Sequence, residues 1–190
     1  MTIPNNQIRA YYTDKTIRIY QAYSDIIADS ALEHGTFVSP PFKIDRMSWI
    51  KPSFLWMMYR SGWAQKDANQ KRILAIDIKR EGFEWALMNG CLSHKPEHLN
   101  NEEWKIHKSK YPVRIQWDPE KDIFSQPLSY RAIQIGLSEE AVLKHINEWI
   151  ITINDITNDV LTIKHLIDKG DVENAKKMLP IEKIYPYSFN

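Results

Sequence analysis

The chain has 190 residues, 43% of them apolar, and carries 25 lysines and arginines against 24 acids. That is enough apolar material for a full core, so disorder is not expected and the simplest division is one domain over residues 1–190. The near-zero net charge excludes a whole-molecule field drawing the chain to DNA, a membrane or an acidic partner, so any charged partner must be met by a local patch. The opening "MTIPNNQIRAYYTDKT" lacks a basic start and a long apolar run, and no stretch approaches the ~20 apolar residues of a membrane span. The one cysteine, Cys91, has no internal partner and no histidine beside it to lower its pKa, and is expected to be an inert thiol. These features predict a soluble protein of a reducing cytoplasm, with no membrane partner.

In chain order, "TIRIYQAYS" alternates Ile17, Ile19 and Gln21 against Arg18, Tyr20 and Ala22, the period of a strand with one wetter face. Ser24 is then expected to cap a helix, "DIIADSALEHG", which carries Ile27, Ala28, Ala31 and Leu32 on one side and stops at Gly35. "VSPPFK" is a rigid loop. "RILAIDI" has the continuous apolar character of a buried strand, and "REGFEWALMNG" follows as a short helix ending near Gly90, so strand and helix alternate twice. The polar stretch from His94 to Tyr111 predicts an exposed loop with a helical turn. "PVRIQWD" and "RAIQIGL" each alternate, with Val113, Ile115 and Trp117 on one face of the first strand and Ile133, Ile135 and Leu137 on one face of the second. "DPEKD" between them reads as turn chemistry.

From Ser138, a cap with Glu139 and Glu140 in the first turn, Val142, Ile146, Trp149, Ile153, Ile156, Val160, Ile163 and Ile167 recur in steps of four and three. That phase predicts one continuous helix from Ser138 to Lys169, with Trp149 buried. Its seam is either covered within a monomer or shared in a homodimer. Gly170 ends it, Asp171 caps "VENAKKML", and Pro180 closes that helix. The fold class is α+β, a small, mostly antiparallel sheet with two N-terminal strand–helix units and a C-terminal helical pair.

Glycine-rich phosphate loops are missing. His94 and His98 are four apart, but Pro96 between them prevents a shared helical face, and the other histidines stand alone, so no metal is expected. The informative stretch is "RMSWIKPSFLWMMYRSGW". Met47, Ile50, Phe54, Leu55, Met57 and Met58 suit a core, whereas Arg46, Lys51 and Arg60, with Lys43 and Lys66 nearby, are opposed only by Asp45. Cations beside aromatic rings are what a site needs to neutralise phosphate and stack a planar ring. Arg18, Tyr20, Lys51, Ser53, Arg60 and Arg131 are therefore candidates for binding NAD or another nucleotide, and Gln21, Tyr59 and Gln134 are the candidate catalytic residues. Within that set Arg18, Lys51 and Arg60 would meet phosphate, Tyr20 and Tyr59 the ring, and Gln21, Ser53 and Gln134 ribose hydroxyls. The rival expectation is a non-catalytic module binding nucleic acid or a protein through residues 43–66.

The blocks "IRAYYTD", "IRIYQAYS", "DRMSWIKPSFLWMMYRSGW", "REGFEWAL", "VRIQWDPE" and "YRAIQIGLS" together resemble the family labelled domain of unknown function 4291, over about Arg9 to Pro186. That resemblance implies a single-domain unit and brings no activity with it. A shorter stretch, "IRIYQAYSDIIADSALEHGTF", is similar to the opening of the ADP-ribosyltransferase superfamily. The resemblance implies a first polar strand residue at Arg18 or Gln21, a second at Ser53 or Tyr59, and a late-strand glutamate holding a ribose hydroxyl. At that third position "AIQIGL" offers Gln134, with Glu139 and Glu140 just beyond.

Overall fold

The computed structural model describes residues 5–187. β2 (Thr16–Tyr23) pairs antiparallel along its whole length with β4 (Arg72–Lys79), and β4 pairs antiparallel with β8 (Ile150–Asp155), giving a three-stranded sheet. A second sheet has the order β3 (Ser48–Ile50), β7 (Pro127–Leu137), β6 (Val113–Lys121), β5 (Gly90–Leu92), antiparallel except for the β5–β6 pair. A short ladder joins the chain's ends, β1 (Arg9–Ala10) to β9 (Lys183–Ile184). The fold is α+β and mostly antiparallel, as the alternation of strand and helix periods predicts.

The two strand–helix units are present. β2 leads into α1 (Asp25–His34), which ends on Gly35 in the left-handed region at φ 68°, and β4 leads into α3 (Arg80–Met88). The C-terminal helical pair is α6 (Thr157–Asp168) and α7 (Val172–Lys177), the latter capped by Asp171, whose carboxylate accepts from the Asn174 amide. The predicted exposed loop at 94–111 is more ordered than expected. It holds a nine-residue helix, α4 (Asn101–Ser109), started by a capping box between Asn100 and Glu103.

The core lies in two clusters separated by the three-stranded sheet. Ile17 and Ile19 of β2 and Leu74, Ile76 and Ile78 of β4 pack with Ile50, Val113, Ile115, Ile133, Ile135 and Leu137 of the second sheet and with α1 and α3. Alternate residues of the same strands, Tyr20, Ile73 and Ala75, pack against Phe54, Met57 and Met58 of α2 (Phe54–Ser61) and Val160 and Ile163 of α6. Both faces of β2 and β4 are therefore covered. This accounts for the unbroken apolar run of β4, and it corrects the expected wetter face of β2: Tyr20 is 1% exposed.

Two further expectations are overturned. The span 138–169 is not one helix. It is broken into α5 (Glu140–Lys144), a π-helical turn (His145–Trp149), strand β8 and then α6. Ile150, Ile151, Thr152 and Ile153 are β-branched, and they gain a ladder with β4, Ile153 opposite Ile76, that outweighs the helical phase. Trp149 is buried as expected, at 4% exposure, but at the end of the π turn and against Trp85. "DPEKD" is also not the turn. β6 runs on through Pro119 to Lys121, with a register shift between Pro119 and Lys121 that accommodates the missing amide. The chain reverses at 122–126, where Asp122 Oδ1 accepts from the amides of Phe124 and Gln126.

Candidate functional site

The two main sheets touch through an isolated backbone bridge, Tyr20 to Lys51, with the Tyr20 amide donating to the Lys51 carbonyl at 2.7 Å. Beside this seam lies a cavity of about 600 Å³, within the ~300–1,000 Å³ typical of small-ligand sites. Gln21 and Tyr23 reach it from the end of β2, Ser48 and Trp49 from β3, and Gln116 and Gln134, which face each other across the β6–β7 ladder, from the second sheet. Met57 and Arg60, one helical turn apart on α2, close another side, and Asn69 and Gln70 come from the 3-10 turn Ala68–Gln70. Ser53 sets the start of α2 by accepting from the Trp56 amide at 3.2 Å, and so fixes where Arg60 emerges.

The charge of the lining is one-sided. Among the described residues Lys43, Arg46, Lys51 and Arg60 line the cavity and no aspartate or glutamate does, with Asp118 standing behind Gln116 and Gln134. Lys51 is 6% exposed, and its Nζ donates to the Trp49 carbonyl at 3.1 Å. Burial and the positive charge of Arg60 pull its ammonium down to about 7, so the protonated and neutral forms coexist near neutral pH. Among the described residues Lys51 forms no ion pair with a carboxylate.

The uncharged wall is hydrogen-bonded into a fixed arrangement. Gln21 Nε2 donates to Ser48 Oγ at 2.8 Å, Tyr23 Oη at 2.9 Å and the Trp49 carbonyl at 3.3 Å, and the two hydroxyls lie 3.2 Å apart. Burial pushes the Tyr23 phenol up to about 12, so it is a neutral hydroxyl. Gln21 is 2% exposed, and its Oε1 is buried without a hydrogen-bond partner. A buried acceptor left unmet costs roughly 1–3 kcal/mol, and this oxygen is itself closed off from the cavity that other atoms of Gln21 line. On the other wall Asp118 accepts from Gln134 Nε2 at 2.5 Å and from Gln116 Nε2 at 3.0 Å, which orients both amides.

Of the nine candidate binding and catalytic residues, Gln21, Lys51, Arg60 and Gln134 line this one cavity, together with their basic neighbours Lys43 and Arg46. The others do not. Arg18 projects from the opposite face of β2 to Gln21 and makes a two-pronged ion pair with Asp77, both contacts 2.8 Å. Tyr20 shares that opposite face, with its ring edge-on to Phe54. Ser53 caps α2, and Tyr59 is exposed under the Lys121 ammonium, 4.2 Å from its ring centre. Arg131 donates to the Trp117 carbonyl at 2.9 Å, and its backbone pairs with residues 5–7. Sequence reasoning passed over Ser48, Tyr23, Trp49 and Gln116. Gln116 stands opposite Gln134 only because the hairpin reverses at 122–126 with a register shift after Pro119, which the turn expected at "DPEKD" does not give. In segment 43–66 Phe54, Trp56 and Trp63 are core side chains, so Trp49 and Tyr59 are the aromatic rings it leaves partly accessible.

His145 is buried with neither ring nitrogen hydrogen-bonded, and burial alone pulls it down to about 4, a neutral imidazole beside Phe37 and Trp149. Among the described residues no group of three or more His, Cys, Asp or Glu could hold a metal ion, and no helix is long and apolar enough to cross a membrane.

Residues 7–185 match the family model described as Domain of unknown function (DUF4291), and the chain belongs to that family. No curated protein matches it.

Proposed function

We propose that this member of the DUF4291 family binds a nucleotide, NAD or a relative of it, in the cavity between its sheets, as the binding step of a group transfer like that of the ADP-ribosyltransferases. The observation that carries the reading is the lining: four cations and no carboxylate around about 600 Å³ of space. Among the described residues none of the four cations is held in an ion pair, although Asp67 lies near enough to Arg60 to feel its charge, and such a lining is complementary to a polyanion such as a pyrophosphate.

Each wall has a role in this reading. Lys51 and Arg60 take the phosphates, joined at the mouth by Lys43 and Arg46. Trp49 offers its ring to a base or nicotinamide. The hydroxyls of Ser48 and Tyr23, held by Gln21, meet a carboxamide or a ribose hydroxyl, and Gln134, held by Asp118, meets the second sugar edge. Gln21 on an early strand, Ser48 on a second and Gln134 on a late one supply the three polar strand positions implied by the resemblance to the ADP-ribosyltransferases, with Ser48 in the place first given to Ser53 or Tyr59. Glutamine rather than glutamate at the third position supplies a hydrogen bond to a hydroxyl without a base to deprotonate it.

A thermal-shift panel of NAD, ADP-ribose, nicotinamide, ATP and GTP tests the binding. A ligand at a hundred times its dissociation constant adds about 2.7 kcal/mol of stability, and Arg60→Ala should cut the shift of the phosphate-bearing ligands to about half or less while sparing that of nicotinamide. Melting curves unmoved by the whole panel at millimolar concentration would remove the reading. A labelled single strand whose binding weakens steeply with salt, with no response to NAD, would favour the nucleic-acid module instead.

A further inference from the structure

Lys51 is the one lining cation that sits almost wholly inside the protein, and none of the interactions around it explains why a lysine is there. Its side chain is 6% exposed, and its single acceptor is the Trp49 carbonyl at 3.1 Å. The nearest charge acting on it is another cation, Arg60. An arginine could not shed its proton in such a place, but a lysine can. An amine desolvated beside a second cation, with one N–H tied to a carbonyl, presents its lone pair as a nucleophile.

Resting on the reading of the cavity as an anion site, we propose that Lys51 is a nucleophile that forms an imine with the aldehyde carbon of a phosphorylated aldose in its open-chain form. The substrate class follows from the rest of the lining. Arg60, Arg46 and Lys43 select a phosphate. Gln21, Tyr23, Ser48, Gln116 and Gln134 are neutral partners suited to the hydroxyls of a sugar. The Nζ lone pair attacks the carbonyl carbon, and the C=O π pair moves to oxygen, which takes up one proton from nitrogen. The nitrogen pair then forms C=N as the C–O bond breaks, and the oxygen leaves as water carrying both hydrogens of the original amine. No oxidant or reductant is needed. That the neutral form is present at pH 7 agrees with the pull of burial and Arg60 on this ammonium.

Reductive trapping tests this. The full chain is incubated at pH 7 with ribose 5-phosphate and sodium cyanoborohydride, and the secondary amine is located by peptide mass spectrometry. The expected label falls on Lys51 at a rate on the order of tenfold or more above the exposed Lys43 and Lys66, because only the neutral amine attacks. Ribose without phosphate should label it far more slowly, and Lys51→Met should lose the label at that site. Site mapping on the unaltered chain decides the question even where that variant does not fold. Labelling spread evenly over surface lysines, or none at Lys51, would overturn the imine. A shift with NAD alongside that outcome would leave nucleotide binding standing, whereas a Lys51 adduct without any response to NAD would separate the two the other way.

Discussion

Replacing Lys51 with methionine keeps an unbranched side chain one atom shorter and removes its titration, and the consequence is a change in how stability depends on pH. In the folded chain burial brings the ammonium down to about 7 from an ordinary 10.5, whereas the unfolded chain keeps its proton up to the ordinary value. Between those two values the unfolded state binds more protons, so stability rises with pH at up to about 1.4 kcal/mol per pH unit. Below pH 7 both states are protonated, and the folded chain carries the whole cost of a desolvated charge, a flat deficit on the order of 4 kcal/mol that fades as pH climbs. Lys51→Met lacks both the deficit and the slope. Urea unfolding of the two proteins at pH 6, 7.5 and 9 should therefore show the variant ahead at pH 6 and its advantage shrinking steadily to pH 9. The raised phenols of Tyr20 and Tyr23 are common to both and cancel in the difference. An advantage constant from pH 6 to pH 9 would refute the reasoning, because it would mean that Lys51 keeps its proton in the folded state and that the cavity already satisfies the charge.

Other expectations are simpler to check. A Cβ on Gly82 would stand 2.3 Å from Cγ of Trp149, a ring held in place against Trp85, so Gly82→Ala should cost about 1–3 kcal/mol by overpacking in a urea melt; a neutral result would contradict the packing described. Trp149→Ala alone should cost about 3–5 kcal/mol as a core truncation, and in its background Gly82→Ala should lose most of its effect; full additivity of the two would be inconsistent with their contact. Burial pushes the Glu182 carboxyl, which accepts from the Phe54 amide at 2.8 Å near Glu120 and Arg9, up to about 8. The folded state then holds a proton that the unfolded state has released, so stability is lost as pH rises from 4.5 to 8, and Glu182→Gln should gain on the parent over that range in unfolding midpoints.

The parts of the fold legible in the sequence are those where local pattern and tertiary burial agree. The β6–β7 hairpin alternates because each strand has a face on the core between the sheets, and the unbroken apolar run of β4 fits a strand covered on both faces. The span 138–169 misleads because Trp149, Ile153 and Ile156 lie on a helical phase by spacing alone, while the β-branched run Ile150–Ile153 is stabilised by a partner, β4, some 75 residues earlier that spacing cannot reveal. Pro119 reads as a turn residue for the same reason, since its tolerance depends on a register shift in the paired strand.

The candidate site was legible one residue at a time but not as a set. Charge concentrated around Arg46–Arg60 points to a site, and Lys51 and Arg60 are in it. Strand alternation, taken strictly, separates Gln21 from Arg18 and Tyr20, and helical spacing separates Arg60 from Tyr59, so these could not all have faced one ligand. Ser48 and Tyr23 gain their meaning only from the hydrogen bonds that join them to Gln21 across two sheets.

Titration calorimetry with NAD at pH 7, on the unaltered chain and on Arg60→Ala and Gln21→Leu, tests the central claim most directly. The cavity predicts one saturable site per chain, weakened about tenfold or more by Arg60→Ala, equivalent to at least about 1.4 kcal/mol from a lost phosphate contact, and weakened also by Gln21→Leu, which frees the Ser48 and Tyr23 hydroxyls from the amide that holds them. Absence of saturable heat with NAD and ADP-ribose alike, or binding that neither substitution alters, would contradict it.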